Sequence, residues 1–122
     1  MEYPGYGLYC CEKDSERLMD DALTVYDHMT QKRGVSQQDI ILFGRSIGSS
    51  PACYVANRRH PAALILMSPF KSIREIAKDL VGWFLAFAIA DRLKNIELIQ
   101  EIRCPIFIVH GKHGDCTTNI IP

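Results

Sequence analysis

Three short, almost uninterrupted apolar runs constrain the fold of this chain most: "DIILFG" at Asp39 to Gly44, Ala62 to Met67 within "HPAALILMSP", and "CPIFIVHG" at Cys104 to Gly111. Each is strand-length, lacks the alternation of a half-wet strand, and stops at glycine or proline, so each reads as a strand buried on both faces of a parallel sheet. Helical patterns separate them. Leu18, Ala22, Val25, Tyr26 and Met29 recur at three- and four-residue spacing, with Ser15 as N-cap and Gly34 as the stop. A second helix is expected from about Ser46 to Arg58, and a long helical region over about Ser72 to Ile102. Buried strands alternating with amphipathic helices predict an α/β fold, a three-layer sandwich around a mostly parallel sheet with right-handed crossovers.

The 122 residues suit one domain, taken here as 1–122, and not two. Acidic and basic side chains balance at 14 each without a block of one sign, which disfavours nucleic acid as a partner. The five cysteines, Cys10, Cys11, Cys53, Cys104 and Cys116, have no metal-ligand spacing and are odd in number, so free thiols are expected rather than a disulfide framework or a zinc site. No metal and no cofactor is called for. The N-terminus "MEYPGYGLYCC" lacks the basic and long apolar regions of a signal peptide, which with the thiols points to a cytoplasmic setting. The most apolar window, "LVGWFLAFAIA" at Leu80 to Ala90, is eleven residues, against the roughly 20 that a membrane span needs.

In parallel α/β sheets, ligands collect at the carboxyl ends of the strands, and Ser46, Ser68 and the turn "HGKHGD" fall there. Gly44-Arg45-Ser46-Ile47-Gly48 matches G-x-S-x-G, the sharp strand-to-helix turn that exposes a nucleophilic serine. The five-residue pattern alone also fits a serine N-cap on an ordinary crossover helix. The apolar strand before it, and the small residues Gly48, Ser49, Ser50 and Ala52 after it, favour the elbow, since they let the helix pack close beneath the turn.

On these residues the chain resembles the α/β-hydrolases, in particular their domain-containing protein 17 and 13 groups. The match rests on "EYPGYG" at Glu2 to Gly7, "ILFGRSIGSSPA" at Ile41 to Ala52, "ALILMSPFKSIREIA" at Ala63 to Ala77 and "CPIFIVHGK" at Cys104 to Lys112. The resemblance implies a partial hydrolase fold, with Met1 to Gly7 ending its strand four and the three apolar runs serving as strands five to seven. Strand three, which the fold places between four and five, has no counterpart here. By the same resemblance Ser46 is the nucleophile and Ile47 lends a backbone N–H to the oxyanion hole. The acid is expected at the fifth position of "HGxxD" counted from His110, but Gly114 stands there and Asp115 follows one place late.

A serine hydroxyl needs a base within hydrogen-bond reach. Of the four histidines, His28 reads as a surface residue, His60 lies at the far end of the elbow helix, His110 ends a strand, and only His113 is in a loop at the right sheet edge, with a strand between it and Ser46. The catalytic histidine is therefore expected to be missing and the chain to be a fragment of a serine hydrolase. The resemblance implies cleavage of esters or thioesters, including protein depalmitoylation, with an acylated protein as substrate and peripheral contact with membranes. The run with Trp83, Phe84 and Phe87 suits either an acyl-chain lid or a core helix. A non-catalytic interaction module and a serine peptidase-like hydrolase are the other readings of the same elbow.

Overall fold

The computed structural model describes residues 15–69 and 95–111. The first helix, α1 (Ser15–Asp27), begins at Ser15 itself, one position earlier than the capping pattern predicts, and continues into a wider π-helical turn, His28–Lys32. Gly34 stops it as expected: its φ of +70° is a left-handed conformation that glycine takes without steric cost. A short 3₁₀ turn, Gln37–Asp39, is capped by the Ser36 hydroxyl accepting from the Gln38 amide, and leads into β1 (Ile41–Arg45). A 3₁₀ turn at Ser46–Gly48 opens α2 (Ser49–Arg58), which is followed by β2 (Ala63–Met67), α3 (Asn95–Ile99) and β3 (Ile106–Val109).

The strands form a parallel sheet in the order β1-β2-β3. Leu42, Leu64 and Ile106 share one row, and Gly44, Leu66 and Ile108 the next row on the same face. Both crossovers carry the chain one strand further in the same direction, so right-handed connections must place α2 and α3 on the same side of the sheet. The core confirms this. Ala52, Cys53 and Ala56 of α2 bury Leu64 and Leu66 completely, with Leu98, Ile99 and Ile102 closing the cluster beside them. Each of these two leucines contributes about 1.5–3 kcal/mol of burial free energy.

The opposite face corrects the expectation that the strands are buried on both sides. Ile41, Phe43 and Phe107 are 59%, 62% and 64% exposed, and Met67 and Val109 are open as well. Among the described residues the helices lie on one face only, so the α/β class stands while the third layer of the sandwich is not among them. Among the described residues β1 is also an edge strand. A groove of about 480 Å³ runs along it, lined by Ala22 and Val25 of α1, Phe43 and Arg45 of β1, and Pro51 and Val55 of α2. Val25, expected on the buried stripe of α1, is half exposed because it faces this groove, and Met29 is exposed too, whereas Leu18 and Tyr26 are buried.

Side-chain clasps hold α1 against α2. Arg59 forks both oxygens of Asp27 at 2.7 Å and Tyr54 donates to Asp20 at 3.4 Å, while within α2 the Arg58 guanidinium stacks over the Tyr54 ring at 3.6 Å. Gln37 accepts from both the Tyr26 hydroxyl and the His60 amide, and Asn57 ties α2 to α3 through the Leu98 carbonyl and the Glu101 carboxylate. The expected strand at Met1 to Gly7, most of the expected Ser72 to Ile102 helix and the apolar window Leu80 to Ala90 lie outside the described residues. None of the described helices is long and apolar enough to cross a membrane.

Candidate active site at the carboxyl edge of the sheet

The turn at Ser46 is built from the close approach of α2 to the end of β1. A Cβ added at Gly44 would lie 2.6 Å from the Gly48 carbonyl oxygen, 2.8 Å from the Ser49 Cα and 2.9 Å from the Ala52 Cβ. Two of these are backbone atoms, so no side-chain adjustment makes room, and glycine is required at the first position of the motif. The next two residues swing the chain out of the strand. Arg45 is still extended, while Ser46 takes a φ of +49°, the left-handed region that costs an L-residue with a side chain about 1–2 kcal/mol. That strain is offset from below. The Ser49 amide and hydroxyl both donate to the Ser46 carbonyl, the hydroxyl at 2.6 Å. Ser49 and Ser50 are wholly buried under the turn, as the small-residue pattern anticipates.

This arrangement leaves Ser46 exposed at the tip, with its hydroxyl making no hydrogen bond among the described residues. Ile47 follows, half exposed, in the first turn, whose amides have no intrahelical acceptor. A serine presented in this way can reach an acyl carbon from solvent, and the adjacent N–H groups can receive the negative charge that then develops on the carbonyl oxygen.

Not every expected partner is brought close. His28 is exposed on the π-helical turn after α1. His60 lies beyond α2, whose ten residues separate it from Ser46 by about 15 Å, and its backbone is held by Gln37 and Gln38. His110 follows β3, two strands from Ser46, or about 10 Å across the sheet. His113 and the expected acid Asp115 lie outside the described residues. No group of three acidic, histidine or cysteine side chains among the described residues is arranged to hold a metal ion.

Among the described residues, the thiols of Cys53 and Cys104 take no part. Burial, with the neighbouring Cys104 adding to it, pushes Cys53 up to about 12, and burial also raises Cys104, so both stay protonated and poorly nucleophilic near neutrality. Both are free thiols. One feature had no signal in the sequence beyond its place at a strand end: Ser68, just after β2, also takes a positive φ, +48°.

Similarity to known proteins agrees with the α/β architecture. The chain is 31% identical over 110 residues to alpha/beta hydrolase domain-containing protein aho-3 of Caenorhabditis elegans, covering 90% of this chain and 32% of that protein. It is 31% identical over 114 residues to human alpha/beta hydrolase domain-containing protein 17C, covering 93% of this chain and 34% of that protein. An uncharacterized protein of Mycobacterium tuberculosis is 30% identical over 115 residues, 93% of this chain and 41% of that protein. The chain thus spans about a third of the length of the curated relatives it matches. No protein-family model and no solved structure matches it.

Proposed function

With the chain related along most of its own length to α/β-hydrolase domain-containing proteins, we propose that Ser46 is the nucleophile of a serine hydrolase site acting on acyl esters or thioesters. The observation that carries the reading is the left-handed Ser46 at the junction of β1 and α2, over a Gly44 that no other residue can replace without displacing backbone. In the proposed reaction the Ser46 Oγ bonds to the acyl carbon as its proton passes to a base, and the alkoxide or thiolate leaves with a proton. Water then hydrolyses the acyl-serine. The Ile47 amide donates to the oxyanion, and Asp115 is the candidate acid that orients the histidine base. Within this class, depalmitoylation of an acylated protein in the cytoplasm, at the periphery of a membrane, fits the apolar run Leu80 to Ala90 as an acyl-chain wall.

The Ser46 hydroxyl, exposed and without a hydrogen bond among the described residues, also fits one other reading, a non-catalytic interaction module on a hydrolase scaffold. A fluorophosphonate probe separates the two when the reaction contains imidazole as an exogenous base. Modification of the chain at Ser46, absent in Ser46→Ala, is the result expected of the hydrolase. An unmodified wild-type chain defeats the catalytic reading. A panel of acyl thioesters, esters and peptide amides then assigns the bond cleaved, with thioesters expected to be the best substrates and preferential amide cleavage identifying a peptidase.

A further inference from the structure

Ser46 and Ser68 are the two non-glycine residues with positive φ among the described residues, and they stand side by side. Arg45 is paired with Met67 at the last rung between β1 and β2, so the two serines occupy the next position of adjacent strands, about one inter-strand spacing of 4.8 Å apart. Ser68 is the more unusual of the two. It precedes Pro69, and a proline ring drives the residue before it towards extended, negative-φ backbone. Left-handed backbone at this position therefore runs against both the side chain and the following ring.

The surroundings impose this conformation. The Ser68 amide donates to the Val109 carbonyl at 2.8 Å, extending the β2–β3 ladder by one residue, and Pro69 is fully buried immediately afterwards. The chain is anchored on both sides of Ser68, and the side chain is left exposed at the carboxyl edge. Strain that the fold maintains at a sheet's ligand-binding edge, beside a second strained serine, is the pattern of a working site rather than of a turn chosen for stability.

We propose that Ser68 is a substrate-contacting residue, whose hydroxyl hydrogen-bonds the polar group of the acyl substrate while Ser46 attacks the carbonyl. This assignment rests on the reading of Ser46 as nucleophile. It places the substrate's ester or thioester group over the ends of β1 and β2, with Ser46 and Ser68 on either side of it.

Two variants test it. Ser68→Gly removes the hydroxyl and tolerates the left-handed backbone, so it keeps the fold and should melt no lower than wild type. Ser68→Asn keeps both a hydrogen-bonding side chain and tolerance of positive φ. In imidazole-supplemented fluorophosphonate labelling, Ser68→Gly is expected to modify Ser46 about tenfold more slowly than wild type, as for loss of one hydrogen bond, with Ser68→Asn recovering most of the rate. With a short acyl ester, the Gly variant should raise KM and leave kcat within about twofold if the hydroxyl binds ground and transition states alike. Wild-type labelling rates and KM in Ser68→Gly overturn the assignment and leave Ser46 as nucleophile intact. Absence of labelling in wild type overturns both.

Discussion

At Gly44 and Ser46 the backbone rather than the side chains sets what the sequence is allowed to be. The Gly44→Ala Cβ has no free position between the Gly48 carbonyl and the Ser49 Cα, so this single methyl is expected to cost about 1–3 kcal/mol in urea unfolding. Ser46 shows the opposite balance. Both Ser46→Gly and Ser46→Ala lose the hydroxyl, but only glycine relieves the left-handed strain, so Ser46→Gly is expected to be about 1 kcal/mol more stable than Ser46→Ala. Equal stability of the two variants would mean that the turn holds no strain. The motif made the Ser46 turn legible in the sequence because glycine at the first position, and small residues after the serine, are the chemical trace of close helix–strand approach. Ser68 left no such trace: its conformation is imposed by the hydrogen bond to Val109 and the burial of Pro69, contacts made across the sheet and invisible in the local sequence.

At the scale of elements, a three- and four-residue repeat located the helix at Ser15, and continuous apolar composition located the three strands. That composition overstated how much of each strand is covered. Continuous apolar runs at Ile41 to Phe43 and Ile106 to Val109 have the composition of strands buried twice, yet only their α2 and α3 side is covered among the described residues. The clasp between α1 and the end of α2 is also tertiary. The Arg59 guanidinium holds the Asp27 carboxyl below the usual carboxylate range, chiefly through their paired hydrogen bonds. In the unfolded chain that carboxyl returns to its ordinary value near 3.8 and takes up a proton sooner as pH falls. The clasp's contribution is thus fully present above the ordinary carboxylate range and is lost as pH drops through the lower folded-state value. Melting curves between pH 7 and pH 3 should show wild type losing stability at the acid end more steeply than Asp27→Asn; parallel curves would show that the pair contributes nothing.

Across the whole molecule, the contrast between two sheet faces governs both stability and exposure. Leu64→Ala, on the covered face, is expected to cost about 2–5 kcal/mol, whereas Phe43→Thr and Phe107→Thr, on the open one, should each cost under about 1 kcal/mol and reduce binding of a hydrophobic dye. Large losses from both phenylalanine exchanges would show that the open face is covered in solution. The parallel sheet also brings the two strained serines together, since Ser46 and Ser68 follow the same ends of adjacent strands in register. The fold class was readable from strand spacing, and the elbow motif located the strained turn at Ser46. The expected acid, Asp115, stands one place late in the sequence pattern and lies outside the described residues. The central claim, that Ser46 forms an acyl intermediate, is tested most directly by the pre-steady-state release of p-nitrophenol from p-nitrophenyl acetate in the presence of imidazole. A burst approaching one p-nitrophenol per chain, absent in Ser46→Ala, is the expected result; an equal burst from the two proteins, or none from wild type, would contradict an acyl-Ser46 intermediate.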